Sequence, residues 1–339
     1  MVYILILNWN GWADTIECLE SVFHNDYAKF RVIIADNDSQ DGSLEHIKAW
    51  ADGRLDVLVN KNNPLLSYIF PPVPKPISYV EYDYKYCSKG FVAADKNKDL
   101  ILIRTGANLG FAGGNNIGLK YALTNDDIEY VWLLNNDTVI KYDALSQLVL
   151  RMENSVKVGM IGSTLCYYSN PKIIQALGGA EYNKWFGTSH HVGGHSNIST
   201  LVDIKENNLH LDYIVGASIL VPKPFLVNVG LMSEDYFLYY EELDWAIRGK
   251  KIGWKLAYAK NSVVFHKEKK SIGSNSDGSE RSEISDFYNL RNRFIITRKY
   301  FPYYIISVYL SFIIVIYKRI RRGQIGRLWR FISRKHKHP

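Results

Sequence analysis

Six short regions of the 339-residue chain gather most of the side chains that could do chemistry. The first four are Leu7-Asn8-Trp9-Asn10-Gly11, Ile33-Ile34-Ala35-Asp36-Asn37-Asp38-Ser39-Gln40-Asp41-Gly42-Ser43, Asn108-Leu109-Gly110-Phe111-Ala112-Gly113-Gly114-Asn115-Asn116 and Leu133-Leu134-Asn135-Asn136-Asp137-Thr138. The fifth joins Gly216-Ala217-Ser218 to Asp235-Tyr236-Phe237-Leu238-Tyr239-Tyr240-Glu241-Glu242-Leu243-Asp244-Trp245. The sixth is His266-Lys267-Glu268, with Ser271-Ile272-Gly273 behind it. Carboxylates of this kind can ligate a hard cation or accept a proton, and the glycines let backbone approach a ligand. Spacing removes several familiar chemistries. Residues 36–48 look briefly like a calcium loop, but one register puts Asp41 at the turn glycine and the other puts Lys48 at the final glutamate. Residues 108–118 spell neither G-x-G-x-x-G nor a P-loop, which disfavours a Rossmann site or a Walker ATPase. His190, His191 and His195 lie in a glycine-rich loop with no nearby acid or cysteine, so no metal is expected there.

The elements that must position these residues alternate. An apolar run over residues 2–7 reads as a buried strand. A helix is expected over 14–24, with Ile16, Leu19, Val22 and Phe23 on one side and Asp14 as its N-cap. Strands over 31–35 and 55–59 enclose a helix over 43–50. The pattern resumes with a strand at 100–104, a helix at 115–123, a strand at 130–134 and a helix at 141–152. β-rich runs follow at 158–168 and 212–221, then a helix at 241–250, strands at 255–259 and 263–265, and a helix at 283–300. This order predicts an α/β fold, a mostly parallel twisted sheet with helices on both faces and ligands beyond the carboxyl ends of the strands. Residues 60–98 interrupt it, with five prolines between 64 and 76, and read as an inserted loop or hairpin.

Net charge is +7, but nine Lys/Arg and no acid fall in residues 318–339. The preceding body is therefore slightly acidic, which argues against nucleic acid as the partner. Residues 300–317 carry no charge, and 305–316 form a solid apolar stretch. Tyrosines before it and the basic run behind it predict a helix lying in or dipping into an anionic membrane face. Three cysteines, Cys18, Cys87 and Cys166, form no CxxC pair and fit a reducing compartment. No secretory signal is visible, so a cytoplasmic location at the plasma membrane is expected.

Together and in this order, the segments resemble those of the family 2 glycosyltransferases, which have the GT-A fold. The branch often labelled rhamnosyltransferase-like shows N-x-N-G, D-N-x-S-x-D-G-S, N-x-G-F-A-G-G-N-N, L-N-N-D-T, F-L-Y-[FY]-E-[DE]-x-D and H-K-x-x-x-S-x-G in the same sequence. The resemblance spans about residues 2–295 outside the insertion, with 1–140 as the nucleotide-binding half, 141–295 as the acceptor half and 296–339 as the tail. It implies an inverting, metal-dependent enzyme that moves a sugar, rhamnose among the candidates, from a UDP- or dTDP-sugar to a growing, lipid-linked glycan. A non-catalytic sugar-nucleotide-binding protein on a degenerate scaffold is the alternative.

The resemblance also implies roles. Asp137 would bind Mg²⁺ or Mn²⁺, or else simply cap the following helix; the metal motif here is Asn135-Asn136-Asp137, with one carboxylate. His266 would contact the metal or the diphosphate. Asp36 would accept a hydrogen bond from a uracil or thymine imide, unless it only caps its turn. Asn8, Asn10 and Asn136 would line the same pocket, with Asn108, Gly110 and Phe111 closing over base and ribose. Asn115 is open between a donor contact and a helix start. The general base falls on Glu242, a Glu where Asp is usual, so Glu241 and Asp244 stay in contention. Arg291 and Arg293 would neutralise a phosphate of donor or acceptor, or else lie on a helix surface.

Overall fold

The computed structural model describes residues 1–58, 60–86, 98–267 and 283–321. Its first half runs β1 (Val2–Asn8), α1 (Trp12–Phe23), β2 (Phe30–Asp36), α2 (Ser43–Ala51), β3 (Tyr79–Asp83), β4 (Leu100–Arg104), α3 (Gly110–Leu123), β5 (Tyr130–Asn135), β6 (Thr138–Ile140) and α4 (Ala144–Glu153). The second half adds β7 (Val158–Tyr167), β8 (Asn170–Leu177), β9 (Gly179–Asn183), β10 (Thr188–His191), β11 (Tyr213–Ile214), β12 (Ser218–Pro222) and α5 (Lys223–Val229). It ends with α6 (Glu241–Lys251), β13 (Lys255–His266), α7 (Glu283–Tyr300) and α8 (Ile305–Arg321).

The main sheet has the order β3-β4-β2-β1-β5-β12-β7-β13-β6, with β8 paired to β7. Its β3-to-β5 side is wholly parallel, and antiparallel pairing enters on the other side, where β12 joins β5 and β7, β8 joins β7 and β6 joins β13. Alternation along each strand builds two cores. Val2, Ile4 and Ile6 of β1 face α1, α2 and α4, while Tyr3 and Leu5 face α3, α5 and α6. A strand buried on both faces reads as an unbroken apolar run, which is why these strands are legible in the sequence. Parallel pairing also aligns their carboxyl ends, so Asn8 pairs with Asp36 across β1 and β2.

Several expectations are corrected. Residues 55–58 form no strand; the added edge strand is β3, supplied by the insertion and parallel to β4. The insertion is thus part of the sheet rather than a hairpin, and Glu20 on α1 locks it down. The Glu20 carboxylate accepts from Trp50 Nε1 (2.7 Å), Val73 N (2.7 Å) and Lys75 Nζ (3.1 Å). Gly11, not Asp14, precedes α1, and the Asp14 carboxylate pairs with Lys267 instead. The two strands at 255–259 and 263–265 are one, β13, with an irregularity in register between Ala259 and Val263. Helix α3 begins at Gly110 rather than Asn115.

Helices α7 and α8 fold back on one another. Arg319 near the end of α8 donates to Asp286 near the start of α7 at 2.6 Å, and Arg298 donates to the Tyr309 hydroxyl at 2.7 Å. By length and composition the span Pro302–Arg321 could cross a membrane. Its outer face exposes Ile306, Leu310, Ile313, Ile314 and Tyr317. Glu268, Ser271, Ile272, Gly273, Cys87, Val59 and the end of the basic tail lie outside the described residues. Cys18 and Cys166 are buried, and burial pushes both thiols up to about 12, which leaves them unreactive.

Candidate active site

The cleft opens where β1, β2 and β5 end. Asn8 Nδ2 donates to Asp36 Oδ1 at 2.7 Å and to Ser39 Oγ at 3.1 Å, while Asn8 Oδ1 accepts from Thr15 Oγ1 at 2.8 Å. Ser39 donates to Asp36 through both its N–H (3.1 Å) and its hydroxyl (2.6 Å). Asp36 is therefore a nearly buried carboxylate whose direction is fixed by three donors. That arrangement both caps the turn and presents a preset acceptor. Asn10 is exposed at the rim, its N–H donating to Ser39 Oγ at 2.9 Å and its Oδ1 accepting from Gln40 N at 2.7 Å. Asn136 Nδ2 reaches Thr15 Oγ1 at 3.1 Å, which ties the end of β5 into this network.

Asn37 is the residue the sequence reading passes over. Its side chain is 2% exposed. It donates to Asn108 Oδ1 (2.9 Å) and Gly110 O (3.2 Å) and accepts from Leu109 N (3.0 Å), so it holds the glycine-rich turn against β2. Gly110 has φ of +69°, and a Cβ there would collide with the Phe237 carbonyl oxygen. The close approach serves a bond: Phe111 N–H donates to Phe237 O at 2.9 Å. Asn115 lies inside α3, where its Nδ2 is spent on Phe111 O at 2.9 Å; its contribution is to the helix.

Asp137 and His266, far apart in sequence, come together. His266 Nε2 lies 3.2 Å from Asp137 Oδ1 and 3.3 Å from Asn135 Nδ2, and Nδ1 lies 3.0 Å from Gln175 Oε1. Gln175, which nothing in the sequence marks, thus orients the ring. Lys267 N–H donates to the Asp137 carbonyl at 2.9 Å, and its ammonium is held by Asp14 (2.7 Å) and Glu17. Burial works against that charge, but Glu17 and Asp14 outweigh it and hold the Lys267 pKa above the usual lysine value. One carboxylate and one imidazole are a hard/borderline donor pair that suits Mg²⁺ or Mn²⁺ if further oxygens come from the ligand. Among the described residues, no group of three or more His, Cys, Asp or Glu forms a complete protein cage. His190 and His210 instead approach Glu181, at 3.2 and 3.6 Å, on the exposed surface.

The opposite lip is the start of α6. Tyr239 and Tyr240 both take left-handed backbone, with φ of +70° and +75°. Non-glycine residues in that region carry strain, and two in succession persist only where the surroundings enforce them. Asn292 of α7 donates to Leu238 O (2.8 Å) and Tyr239 O (3.1 Å), and Tyr240 Oη donates to Gly187 O (2.9 Å). The turn aims Glu242 at Gly216, where any Cβ would collide with Glu242 Oε1 and press on the Phe111 ring. Burial pushes the Glu242 carboxyl up to about 7, against the opposing pull of backbone N–H groups including that of Gly216. Glu241 is more deeply enclosed at 2% exposure, and among the described residues its Oε2 has no hydrogen-bond partner. Burial and the neighbouring Glu242 charge raise its pKa well above the carboxylate range.

Asp244 drops out as a base. It is fully buried and accepts from Arg248 Nε (2.7 Å), Lys299 Nζ (2.8 Å), Tyr300 Oη (2.8 Å) and Tyr236 Oη (3.2 Å). Despite its burial, the hydrogen bonds of Lys299, Arg248 and Tyr300 hold its pKa below the usual aspartate value. Arg291 donates to Asp235 O at 3.0 Å and to Asn292 Oδ1 at 2.8 Å. Arg293 is buried and packs beside Gly187 and Tyr182.

The family model for glycosyl transferase family 2 matches residues 3–67 and 87–199, more than half of the chain. Over 154 residues the chain is 25% identical to the low-salt glycan biosynthesis hexosyltransferase Agl10 of Haloferax volcanii. That stretch is 45% of this chain and 47% of the other, so the chain matches about half the length of this curated relative. Among solved structures, the mannosyltransferase PcManGT of Pyrobaculum calidifontis, in complex with GDP-Man and Mn²⁺, is similar with a TM-score of 0.54 at 12% identity. The likeness covers 99% of this chain and 88% of that one. GalNAc-T7 with UDP, GalNAc and Mn²⁺ gives 0.53 at 15%, covering 78% and 43%. These likenesses establish the GT-A-like arrangement of the sheet and its helices.

Proposed function

The chain belongs to glycosyl transferase family 2, and from that premise we propose that it transfers a sugar from a nucleoside diphosphate donor to a hydroxyl of a growing glycan, with inversion. The observation that carries the reading is the placement of Glu242, a carboxyl at the start of α6 aimed at Gly216 beside the Phe111 ring, where burial raises its pKa. A base poised near neutrality can take a hydroxyl proton as the oxygen attacks. In the proposed step the acceptor oxygen forms a bond to the anomeric carbon, the bond from that carbon to the diphosphate breaks, and the acceptor proton passes to Glu242. Attack opposite the leaving group inverts the centre. Asp36, Asn8 and Asn10 would hold a uracil or thymine base, and Asn108, Gly110 and Phe111 would close over base and ribose. Asp137 and His266 would hold Mg²⁺ or Mn²⁺, which supplies charge stabilisation for the departing diphosphate. A hexose or deoxyhexose donor is the reading, with rhamnose the candidate that the motif style favours.

The exposed apolar face of α8 and the basic residues that follow support a second part of the proposal. The chain attaches to the cytoplasmic face of the plasma membrane, and its acceptor is lipid-linked.

The test is nucleotide release from a panel of UDP-, dTDP- and GDP-sugars with Mg²⁺ or Mn²⁺, with and without glycan acceptor. Asp137→Ala should lower turnover by on the order of 10³, the several kcal/mol that charge stabilisation of a leaving group supplies. Donor binding without turnover across the whole panel would instead support the non-catalytic reading that the single carboxylate of Asn135-Asn136-Asp137 invites.

A further inference from the structure

The first half of α7 lies along the turn that leads into α6. Ser285, Tyr288 and Asn292 recur at helical spacing along one stripe, with Arg291 beside it. Each takes hold of a different part of residues 235–239. Arg291 donates to Asp235 O at 3.0 Å, and the Tyr288 ring stacks on that of Phe237 at 4.7 Å between centroids. Ser285 Oγ shares a hydrogen bond with the Tyr239 hydroxyl. Asn292 is fully buried, and its Nδ2 donates to both Leu238 O (2.8 Å) and Tyr239 O (3.1 Å).

The neighbours leave the Asn292 amide one orientation. Its Oδ1 accepts from the Arg291 guanidinium at 2.8 Å, a group that can only donate, while Nδ2 faces two carbonyls that can only accept. Those two carbonyls flank Tyr239, so holding both on one amide fixes the φ and ψ between them. Tyr239 stands at φ of +70°, a region that strains a residue with a Cβ and leaves glycine unstrained. Tyr240 follows at +75°, and α6 begins at the next residue. The direction in which the helix sets out is therefore decided in this turn. Glu242, its second residue, then reaches Gly216 beside the Phe111 ring.

We propose that Asn292 is a positioning residue for the base: its amide holds Tyr239 in left-handed backbone and thereby sets where the Glu242 carboxylate points. Its bonds go to backbone and to Arg291, so it acts through the turn and not on a substrate. Arg291 supports it by fixing the orientation of the amide. The inference rests on Glu242 as the base and adds what aims it.

The test compares Asn292→Ala in three backgrounds: the parent chain, Tyr239→Ala and Tyr239→Gly. Both Tyr239 variants lose the ring and hydroxyl, but only glycine removes the strain of a positive φ. Turnover is read as nucleotide release from the UDP-, dTDP- and GDP-sugar panel with Mn²⁺. The donor site is read separately, as the thermal shift given by UDP, dTDP and GDP. Asn292→Ala should lower turnover by about a hundredfold in the parent and in Tyr239→Ala, the scale of a reacting group displaced by about 1 Å. In Tyr239→Gly the loss should shrink by about tenfold, the scale of one left-handed residue's strain. Nucleotide shifts should stay the same throughout.

Hydrogen exchange over residues 236–243 runs the same cycle with no substrate present. Exchange should quicken on Asn292→Ala in the parent and in Tyr239→Ala, and less so in Tyr239→Gly. Arg291→Met, at a partly exposed position, covers the case of an Asn292 variant that does not fold. It should lower turnover by about fivefold, the scale of one hydrogen bond, with nucleotide shifts intact. Equal losses in all three backgrounds, full turnover or unchanged exchange in Asn292→Ala, or nucleotide shifts that fall with turnover would each overturn the proposal. So would an unaffected Arg291→Met where Asn292→Ala does not fold. Glu242→Gln keeps two failures apart. Full turnover there removes the base reading, whereas its loss beside an unaffected Asn292→Ala removes only the role of Asn292.

Discussion

The two lips of the cleft handle their polar groups in opposite ways. On the donor side, Asn8, Asp36, Asn37, Ser39 and Asn108 satisfy one another, each side chain aimed by at least one partner. On the acceptor side, Glu241 has a buried oxygen without a partner among the described residues, burial raises the pKa of Glu242, and two tyrosines stand in strained backbone just before them. On the proposed reading the difference follows from what each lip would do. A binding pocket gains from groups preset in one orientation, whereas a base must keep an unmet demand for a proton.

The largest expected break of this contrast is Glu242→Gln. It should lower turnover by about 10³, within the range for a positioned general base, while thermal-shift measurements show donor binding unchanged. Equal losses in donor binding would mean the lips are not separate in role. Next comes Asp244→Asn, which leaves Arg248 and Lys299 without their shared carboxylate. Breaking a buried ion pair costs about 3 kcal/mol, so chemical denaturation should show that loss. In the parent chain the lowered pKa of Asp244 gives stability that is present above the ordinary aspartate range and lost as pH falls through it.

The pH profile is a finer probe. Transfer should climb about tenfold per pH unit below 7 and level off above it, because Glu242 must be deprotonated to act. Stability should move the other way over the same interval. From 4.5 up to about 7 the unfolded chain releases protons that the folded Glu241–Glu242 pair retains, so that pair contributes a loss as pH rises. The smallest expected effect is Asn37→Ala. It removes the strut under residues 108–110 and should weaken donor binding by about tenfold, one or two net hydrogen bonds' worth, with turnover at saturation nearly unchanged.

Much of this was readable from residue types. The apolar runs of β1, β2, β4 and β5 announce themselves because both faces of those strands are buried. Strand β3 does not, since Tyr79–Asp83 is a half-exposed edge segment that alternates with charge and gains its place only by pairing with β4. Within the site, Asp36 and Asp137 stand out as acids at the ends of apolar strands. Asn37 was visible in the same motif, but nothing local tells an asparagine that props a loop 71 residues away from one that faces a ligand. Gln175 gave no signal at all, because its work depends on β8 lying against β7. Asp244 misled for a related reason. Its position next to the base is a helical coincidence, and Lys299 and Tyr300, from a helix more than fifty residues later, decide its role.

The bond from Phe111 N–H to Phe237 O crosses between the lips, and Gly110 is what allows it. On the proposed reading the chain thus fastens the loop over the donor to the turn that carries the base. Whatever ordering the donor imposes on residues 108–111 is shared with residues 237–242 before any acceptor arrives. Coupling of this kind is reciprocal, so the factor by which donor raises acceptor affinity must equal the factor by which acceptor raises donor affinity. On the proposed reading the clasp would favour a ternary complex, each substrate raising the affinity for the other by the same factor.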